Sequence, residues 1–353
     1  MKKLSRRLFI KKAVGTSLVV PVTGSIIASE LLFNKDHTLT HSKRKKVIFD
    51  TDIGFGEDSD DAVCLAYLLL QPECDLLGVT TVGMDSGARA QIVEVLARNM
   101  GKNNLRIAAG CDKPFVSNLY WWHHKIYASP ILREYPAEKI YKPNSSVKLM
   151  QAIVRENPGE VTLLAVGPLS NVAAFLRADP HTFGKLKEVV IMGGRFGQEP
   201  RRDTNFMLDP ASAASVHQHI NVPTRVAGAE TTSPLHVSRE TMEDWFGNPS
   251  YKLLYEICKA WVDRPGRKGN HLSLHDPFAA SLIFEPDLCE YQRVDIGARF
   301  MQRDIVRDRA IKGDELTGYT TFTPDKEGKH RIARNVKKQQ FHNHLGQIWK
   351  LLK

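Results

Sequence analysis

The sequence predicts an α/β fold: a single domain with a mostly parallel, open sheet flanked by helices on both faces. Three observations carry that reading. Apolar runs of strand length alternate with helical runs from about residue 46 to the end of the chain. Helical runs open on Pro168, Pro210 and Pro277, each at the position of a first helical residue. Carboxylates crowd the first strand-to-helix crossing, and the carboxyl ends of parallel strands are where open α/β sheets place their ligands. At 353 residues the chain can bury a large core, and α/β folds of this size are often one domain.

The elements follow in order. Lys46–Asp50 is a β-type run, and Asp61–Leu70 is a helical one. Leu76–Val82, Leu105–Ala109, Val161–Val166, Val189–Met192 and Thr224–Ala227 are the further strand candidates. Between and after them lie helical candidates over Arg89–Met100, Ser145–Glu156, Pro168–Arg177, Pro210–His217, Pro249–Val262 and Pro277–Phe284. Asp209 and Asp276 precede two of the helix-opening prolines, so N-capping is a sufficient structural role for both. Residues 293–336 read as shorter β-like pieces with turns. Val336–Leu352 reads as a closing helix with Phe341, Leu345, Ile348 and Leu352 along one side.

The formal charge of +10 invites a nucleic-acid reading, but Lys2, Lys3, Arg6, Arg7, Lys11 and Lys12, all in residues 1–29, supply six of those charges. The remainder is mixed along the chain, with no basic-aromatic stripe to track a phosphate backbone, and no nucleic-acid partner is expected. Cys64, Cys74, Cys111, Cys258 and Cys289 are scattered, and no pair has metal-ligand spacing. Cys64 lies in an apolar run and reads as a buried small hydrophobe.

Ser5-Arg6-Arg7-Leu8-Phe9-Ile10-Lys11 looks like a twin-arginine export signal. The stretch Ala13–Leu32 that follows is moderately apolar, interrupted by Gly15, Pro21 and Gly24, and too polar for a membrane span. The expected organisation is therefore an export signal over 1–29, a basic tether over 30–45 and a catalytic domain over 46–353. The mature protein is expected in a periplasm or outside the cell, with no stable membrane insertion after export.

Asp50-Thr51-Asp52-Ile53-Gly54 and Asp58-Ser59-Asp60-Asp61-Ala62 place five aspartates and Glu57 at one crossing. So many carboxylates cannot all stay ionised in a partly desolvated cleft unless a cation joins them or some are protonated. Oxygen-only ligation suits a hard divalent ion, calcium or magnesium, rather than zinc.

With these pieces in order, the chain resembles the nucleoside hydrolase family, the inosine-uridine-preferring ribohydrolases. The matching elements are Asp50 to Gly54 with Asp60-Asp61-Ala62; Gly78-Val79-Thr80-Thr81-Val82; Ala108-Ala109-Gly110 with Lys113-Pro114; Leu163 to Asn171; Ile191-Met192-Gly193-Gly194; Asn205 with Leu208-Asp209-Pro210; and His275-Asp276-Pro277. The resemblance covers nearly all of the mature chain. It implies hydrolysis of the N-glycosidic bond of ribonucleosides to free base and ribose, in nucleoside salvage, with Ca2+ as cofactor. It further implies Asp52, Asp61, Asp276 and the backbone carbonyl of Val166 as metal ligands, with Asp50 a nearby support or ligand. Asp60 matches the general base that activates a calcium-bound water. Asp203 and Asn205 match residues that bind ribose hydroxyls, Asp85 falls beside the ribose, and His275 matches the histidine that assists the departing base. The family also implies a homodimer or homotetramer.

The chain departs from the family pattern at several points. The first motif is stretched by Phe55-Gly56-Glu57-Asp58-Ser59, Asp203 replaces a glutamate, Gln198 is the nearest counterpart of a family asparagine, and Ala229-Glu230-Thr231-Thr232 replaces Leu-Asp-Val-Thr. Tyr120-Trp121-Trp122-His123-His124 and Tyr127 are candidates for a wall against the base, with Arg264, Arg267 and His271 opposite. Two other readings compete. One is a nucleoside- or sugar-binding relative that has lost turnover. The other is a haloacid-dehalogenase-like phosphatase, suggested by Phe49-Asp50-Thr51-Asp52 but lacking the expected Thr soon after the second Asp and the later Gly-Asp-x-x-x-Asp.

Overall fold

A computed structural model describes residues 44–55, 59–115, 128–197, 203–265, 270–301, 303–304, 309–310 and 317–352. Residues 1–29, expected to be an export signal, the Gly56-Glu57-Asp58 part of the extension, the aromatic run 120–124 with Tyr127, Gln198 and Arg267 lie outside them.

Strands and helices alternate as the sequence pattern requires. β1 (Lys45–Thr51), α1 (Asp60–Leu70), β2 (Cys74–Thr81), α2 (Ser86–Asn99) and β3 (Ile107–Ala109) form the first portion. α3 (Ala128–Glu134) and α4 (Ser146–Glu156) lead to β4 (Val161–Ala165); α5 (Ser170–Ala178) and α6 (Pro180–Phe183) lead to β5 (Glu188–Met192). α7 (Thr204–Leu208) and α8 (Pro210–His219) lead to β6 (Thr224–Ala227). Then come α9 (Ala229–Thr232), β7 (His236–Ser238), α10 (Arg239–Phe246), α11 (Lys252–Val262), β8 (His271–Ser273) and α12 (His275–Phe284). The chain closes with β9 (Glu290–Met301), β10 (Arg303–Asp304), β11 (Arg309–Ala310), β12 (Thr317–Pro324), β13 (His330–Arg334) and α13 (Lys338–Trp349).

The main sheet has nine strands in the order β12-β9-β13-β6-β5-β4-β1-β2-β3. It is parallel from β3 to β13, and β9 and β12 add an antiparallel hairpin at one edge. The chain runs outward from β1 to β3, then returns to β4 on the other side of β1 and runs outward again. β1 and β4 are thus the switch point of the sheet, and the crevice beyond their carboxyl ends is the natural ligand position.

Alternation along β1 divides the core between the two faces. Val47 and Phe49 pack with α1, α2 and the C-terminal helices, whereas Ile48 packs with α4, α5 and α8. Every strand candidate lies on an observed strand, within a few residues at the ends.

Two of the proline-opened helix starts, at Pro168 and Pro277, differ from the expectation. α5 begins at Ser170, so Pro168 lies in the turn before it rather than at its first position. α12 begins at His275, with Leu274 as N-cap, so Pro277 is its third residue. Proline is tolerated there because the first-turn amides have no intrahelical partner to lose. All five cysteines are free, and Cys64 is buried as expected. Among the described residues no helix is long and apolar enough to cross a membrane.

The closing helix seals one face. Trp349 is almost fully buried, its ring lies edge-on to Phe246 at 5.1 Å, and its carbonyl accepts the Tyr251 hydroxyl at 2.8 Å. Trp349→Ala is expected to destabilise the domain by about 3–5 kcal/mol, measured by urea unfolding; an unchanged midpoint would show that α13 is not part of the cooperative core.

Candidate active site

Asp50 is the penultimate residue of β1 and faces Thr80 of β2 and Ala165 of β4 in register. Its Oδ1 accepts the Thr80 hydroxyl at 2.5 Å and the Asn171 amide at 2.8 Å, while Oδ2 is buried with no hydrogen-bond partner among the described residues. Burial pushes this carboxyl up to about 7, with the Asp52 charge adding to the rise and the Thr80 and Asn171 donors opposing it. An ionised Asp50 therefore calls for positive charge nearby.

The adjoining loop is pinned from two sides. Thr51 donates its hydroxyl to Asp61 Oδ1 and accepts the Ile53 amide at 3.2 Å. Arg89, buried on α2, donates to the carbonyls of Asp52, Ile53 and Met84. Gly167 closes tightly on the same loop, because a Cβ there would lie 2.9 Å from Asp52 Oδ1.

Asp60 and Asp61 are the first two residues of α1, and Asp276 is the second residue of α12. All three are buried. Each offers a carboxylate oxygen, and these atoms lie within 4.8 Å of one another, close enough to share a metal ion. Two helix N-termini supply the partial positive charge that favours anions here. The Asp276 amide donates to Asp60 Oδ2 at 3.3 Å, which ties the two helix starts together.

The two Asp-Pro helix starts thus part company. Asp209 is a structural cap: its carboxylate accepts the Ser212 amide at 3.1 Å and the hydroxyls of Ser170 and Ser212 at 2.6 Å each. Asp276 lies inside its helix and joins the cluster, so its expected capping role does not hold.

Val166 follows β4. Its amide donates to the Asp50 carbonyl at 2.9 Å, and its own carbonyl accepts the Asn205 side chain. The Asn205 amide also reaches the Met192 carbonyl at 3.1 Å. Asp203 caps α7 by accepting the amides of Asn205 at 3.0 Å and Phe206 at 3.3 Å. Burial pushes its carboxyl up to about 6 against the pull of the amides of Phe206, Gly194 and Asn205. Gly193 and Gly194 both take positive φ just after β5, letting the backbone turn beside Asp203 and Asn205. Asp85 sits at the β2–α2 junction with left-handed φ, exposed and making no cap.

His275 opens α12, and its Nδ1 lies 2.7 Å from the Thr232 hydroxyl. The structure thus brings Asp60, Asp61 and Asp276 into one cluster, sets Asp50 and Val166 on the adjacent strand ends, and places Asp203 and Asn205 together at the start of α7. Of the residues suggested to face the base, Arg264 lies over the Trp261 ring at 5.8 Å, and His271 packs against His236 with ring centroids 4.6 Å apart. Glu230 is structural, bonded to the Phe196 amide at 2.9 Å and paired with Arg334 at 2.8 Å.

The sequence reading missed Arg89, Thr232 and the clamping role of Asn171. The Asn171 amide also donates to the Thr81 carbonyl, and its Oδ1 accepts the Cys111 amide and the Ser146 hydroxyl.

A carboxylate cluster at the switch point of a parallel sheet, with a capped Asp-Asn pair and a histidine at its rim, defines an α/β enzyme built for a hard cation and a polar substrate. Residues 47–343 match the inosine-uridine preferring nucleoside hydrolase family. The chain belongs to that family and is an N-glycosyl hydrolase, which sets the phosphatase alternative aside. It is 29% identical over 261 residues to the pyrimidine-specific ribonucleoside hydrolase RihA of Citrobacter koseri, covering 69% of this chain and 80% of that protein. Similarity to uridine nucleosidase 1 of Arabidopsis thaliana is 28% over 266 residues, covering 71% and 77%. Among solved structures, the plant nucleoside hydrolase PpNRh1 superposes with a TM-score of 0.68 at 23% identity, over 87% of this chain and 99% of that one, a likeness that concerns the fold.

The raised Asp50 carboxyl has a thermodynamic signature. Its folded-state value of about 7 lies above the 3.8 of a solvated aspartate, so its contribution to metal-free stability is lost as pH rises through that window. Asp50→Asn removes the ionisation, and its melting temperature is expected to rise relative to metal-free wild type between those pH values. Added Ca2+ should narrow the gap; a difference independent of pH would show that the Asp50 charge does not change across the window.

Proposed function

We propose that this protein hydrolyses the N-glycosidic bond of ribonucleosides to free base and ribose, using Ca2+ held by the carboxylate cluster. The observation that carries the reading is the convergence of Asp60, Asp61 and Asp276 at the switch point of the sheet. The donor set suits a hard cation. The candidate ligands are all oxygens, and the buried Asp50 Oδ2 has no hydrogen-bond partner among the described residues. Asp52, Asp61, Asp276 and the Val166 carbonyl would hold the ion, with Asp50 in support. Such an ion orients and polarises the attacking water and the ribose 2′- and 3′-hydroxyls.

The residues of the chain do the rest. Asp60 takes the proton of the water; its carboxylate is already oriented by the Asp276 amide. Asp52 is half-buried where Asp60 is buried, which makes it the second candidate for that proton. Asp203 and Asn205 bind ribose hydroxyls from the start of α7, with Asp85 beside the ribose. Positive charge develops on the ribosyl carbon as the bond stretches, and the surrounding carboxylates stabilise it. His275 supplies a donor to the departing base.

Pyrimidine ribonucleosides are the proposed class, supported by the names of the two relatives above. Export by the twin-arginine route, with 1–29 as signal and 30–45 as tether, belongs to the same reading, as does work in a periplasm or outside the cell as a homodimer or homotetramer. The Ser5–Lys11 motif is the support for export.

The purified protein is expected to release reducing sugar from uridine faster than from inosine, to lose this activity on chelation and to regain it with Ca2+. Bound calcium without turnover of any nucleoside in a panel would leave a binding role instead. Asp60→Ala should lower kcat by about 10²–10⁴-fold while substrate still binds. If Asp52→Ala instead abolishes turnover with the metal retained, and Asp60→Ala does not, Asp52 is the base.

A further inference from the structure

We propose that Thr232 is a positioning residue for this reaction: its hydroxyl donates to Nδ1 of His275 and holds the imidazole in the tautomer that carries its hydrogen on Nε2. The inference rests on the reading of His275 as the group that assists the departing base.

Both partners are fixed by backbone structure. Thr232 is fully buried at the end of α9, its amide bonded to the Gly228 carbonyl at 3.0 Å and its carbonyl accepting the Leu235 amide at 2.8 Å. The Leu235 carbonyl in turn accepts the Leu274 amide at 2.9 Å, one residue before His275. The paired strands β7 and β8 continue this tie, with Val237 opposite Leu272. The two side chains therefore meet at 2.7 Å across a short closed frame. Thr231, the neighbouring threonine, turns the other way and donates to the Ala333 carbonyl at 3.0 Å.

Hydrogen accounting then decides the direction of the bond. A threonine hydroxyl has one hydrogen to donate, and a neutral imidazole has one N–H and one acceptor nitrogen. Among the described residues the side-chain hydrogen bond of Thr232 goes to His275. Were Nδ1 the donor, the hydroxyl hydrogen would be left unmatched in the interior, which buried groups avoid. Thr232 therefore donates, Nδ1 accepts, and the ring hydrogen sits on Nε2. From that nitrogen the neutral ring offers a hydrogen bond to the base as the electron pair of the C1′–N bond departs with it. Water supplies the hydroxyl that forms the new bond to C1′ and, through Asp60 and solvent, the proton that ends on the base.

The test uses the full-length, calcium-loaded protein and three variants, Thr232→Val, Thr232→Ser and His275→Ala. Each is assayed on uridine and on 4-nitrophenyl β-ribofuranoside, whose leaving group is stable as an anion and needs little help. Thr232→Val is expected to lower kcat on uridine by about 10-fold or more with KM little changed, to affect the aryl riboside much less, and to be rescued by Thr232→Ser. In 15N spectra of labelled histidine, with His275 assigned by its loss in His275→Ala, the wild-type ring should show Nε2 protonated and Nδ1 bare. Thr232→Val should mix the tautomers. An equal loss on both substrates, no loss on uridine, or an Nδ1–H ring in the wild type would overturn the proposal. If His275→Ala treats the two substrates alike, the leaving-group reading itself falls and this inference falls with it, a result distinct from a Thr232 variant that fails where His275→Ala discriminates.

Discussion

Carboxylates repel one another, and the carboxyl edge of this sheet is organised around keeping several of them together. Asp60, Asp61 and Asp276 are buried with their oxygens within 4.8 Å. Two helix starts point their amides and partial positive charge at the cluster. Two of these acids and the neighbouring Asp50 have restraints of their own: Thr51 on Asp61, the Asp276 amide on Asp60, and Thr80 with Asn171 on Asp50. These contacts fix direction more than they neutralise charge, so the arrangement is preorganised for a cation rather than content without one.

Second to the charges comes the switch point. Asn171 bonds to groups on β1, β2, α4 and the turn after β3, using its amide twice as donor and its oxygen twice as acceptor. A Cβ at Gly110 would overlap its amide, which explains a glycine there. Arg89 does for the Asp52–Ile53 backbone what Asn171 does for Asp50. These two buried polar residues convert a gap between strands, which topology alone provides, into a position with defined geometry.

Strand and helix order was legible because periodicity and strand length are local properties. So was the acid-rich first crossing, where Asp50, Asp52, Asp60 and Asp61 lie within a dozen residues of one another. The capping assignment of Asp276 failed because Asp before Pro looks the same whether the helix starts after the Asp or before it. The strand pairing of β8 and its tie to Leu235 set that start at His275. Thr232, Arg89 and Asn171 were not legible as supports because their partners lie 43, 36 and 121 positions away, and no local pattern encodes such contacts. The small β7–β8 ribbon escaped notice for a simpler reason: three-residue strands carry too few residues to show a period.

The pairing of Asp60 with the Asp276 amide joins positions 216 residues apart, and the Arg195 amide waits for Thr320, 125 positions downstream. A nascent chain therefore displays its acidic crossing long before the helix and the hairpin that complete the neighbourhood leave the ribosome. Until α12 docks, Asp60 lacks the Asp276 amide, and the loop after β5 lacks the Thr320 hydroxyl of its backing strand. Assembly of the site and completion of the fold are consequently one late event. A product that stops short of residue 275 is not a weaker catalyst but a chain whose most highly charged segment has nothing to close upon.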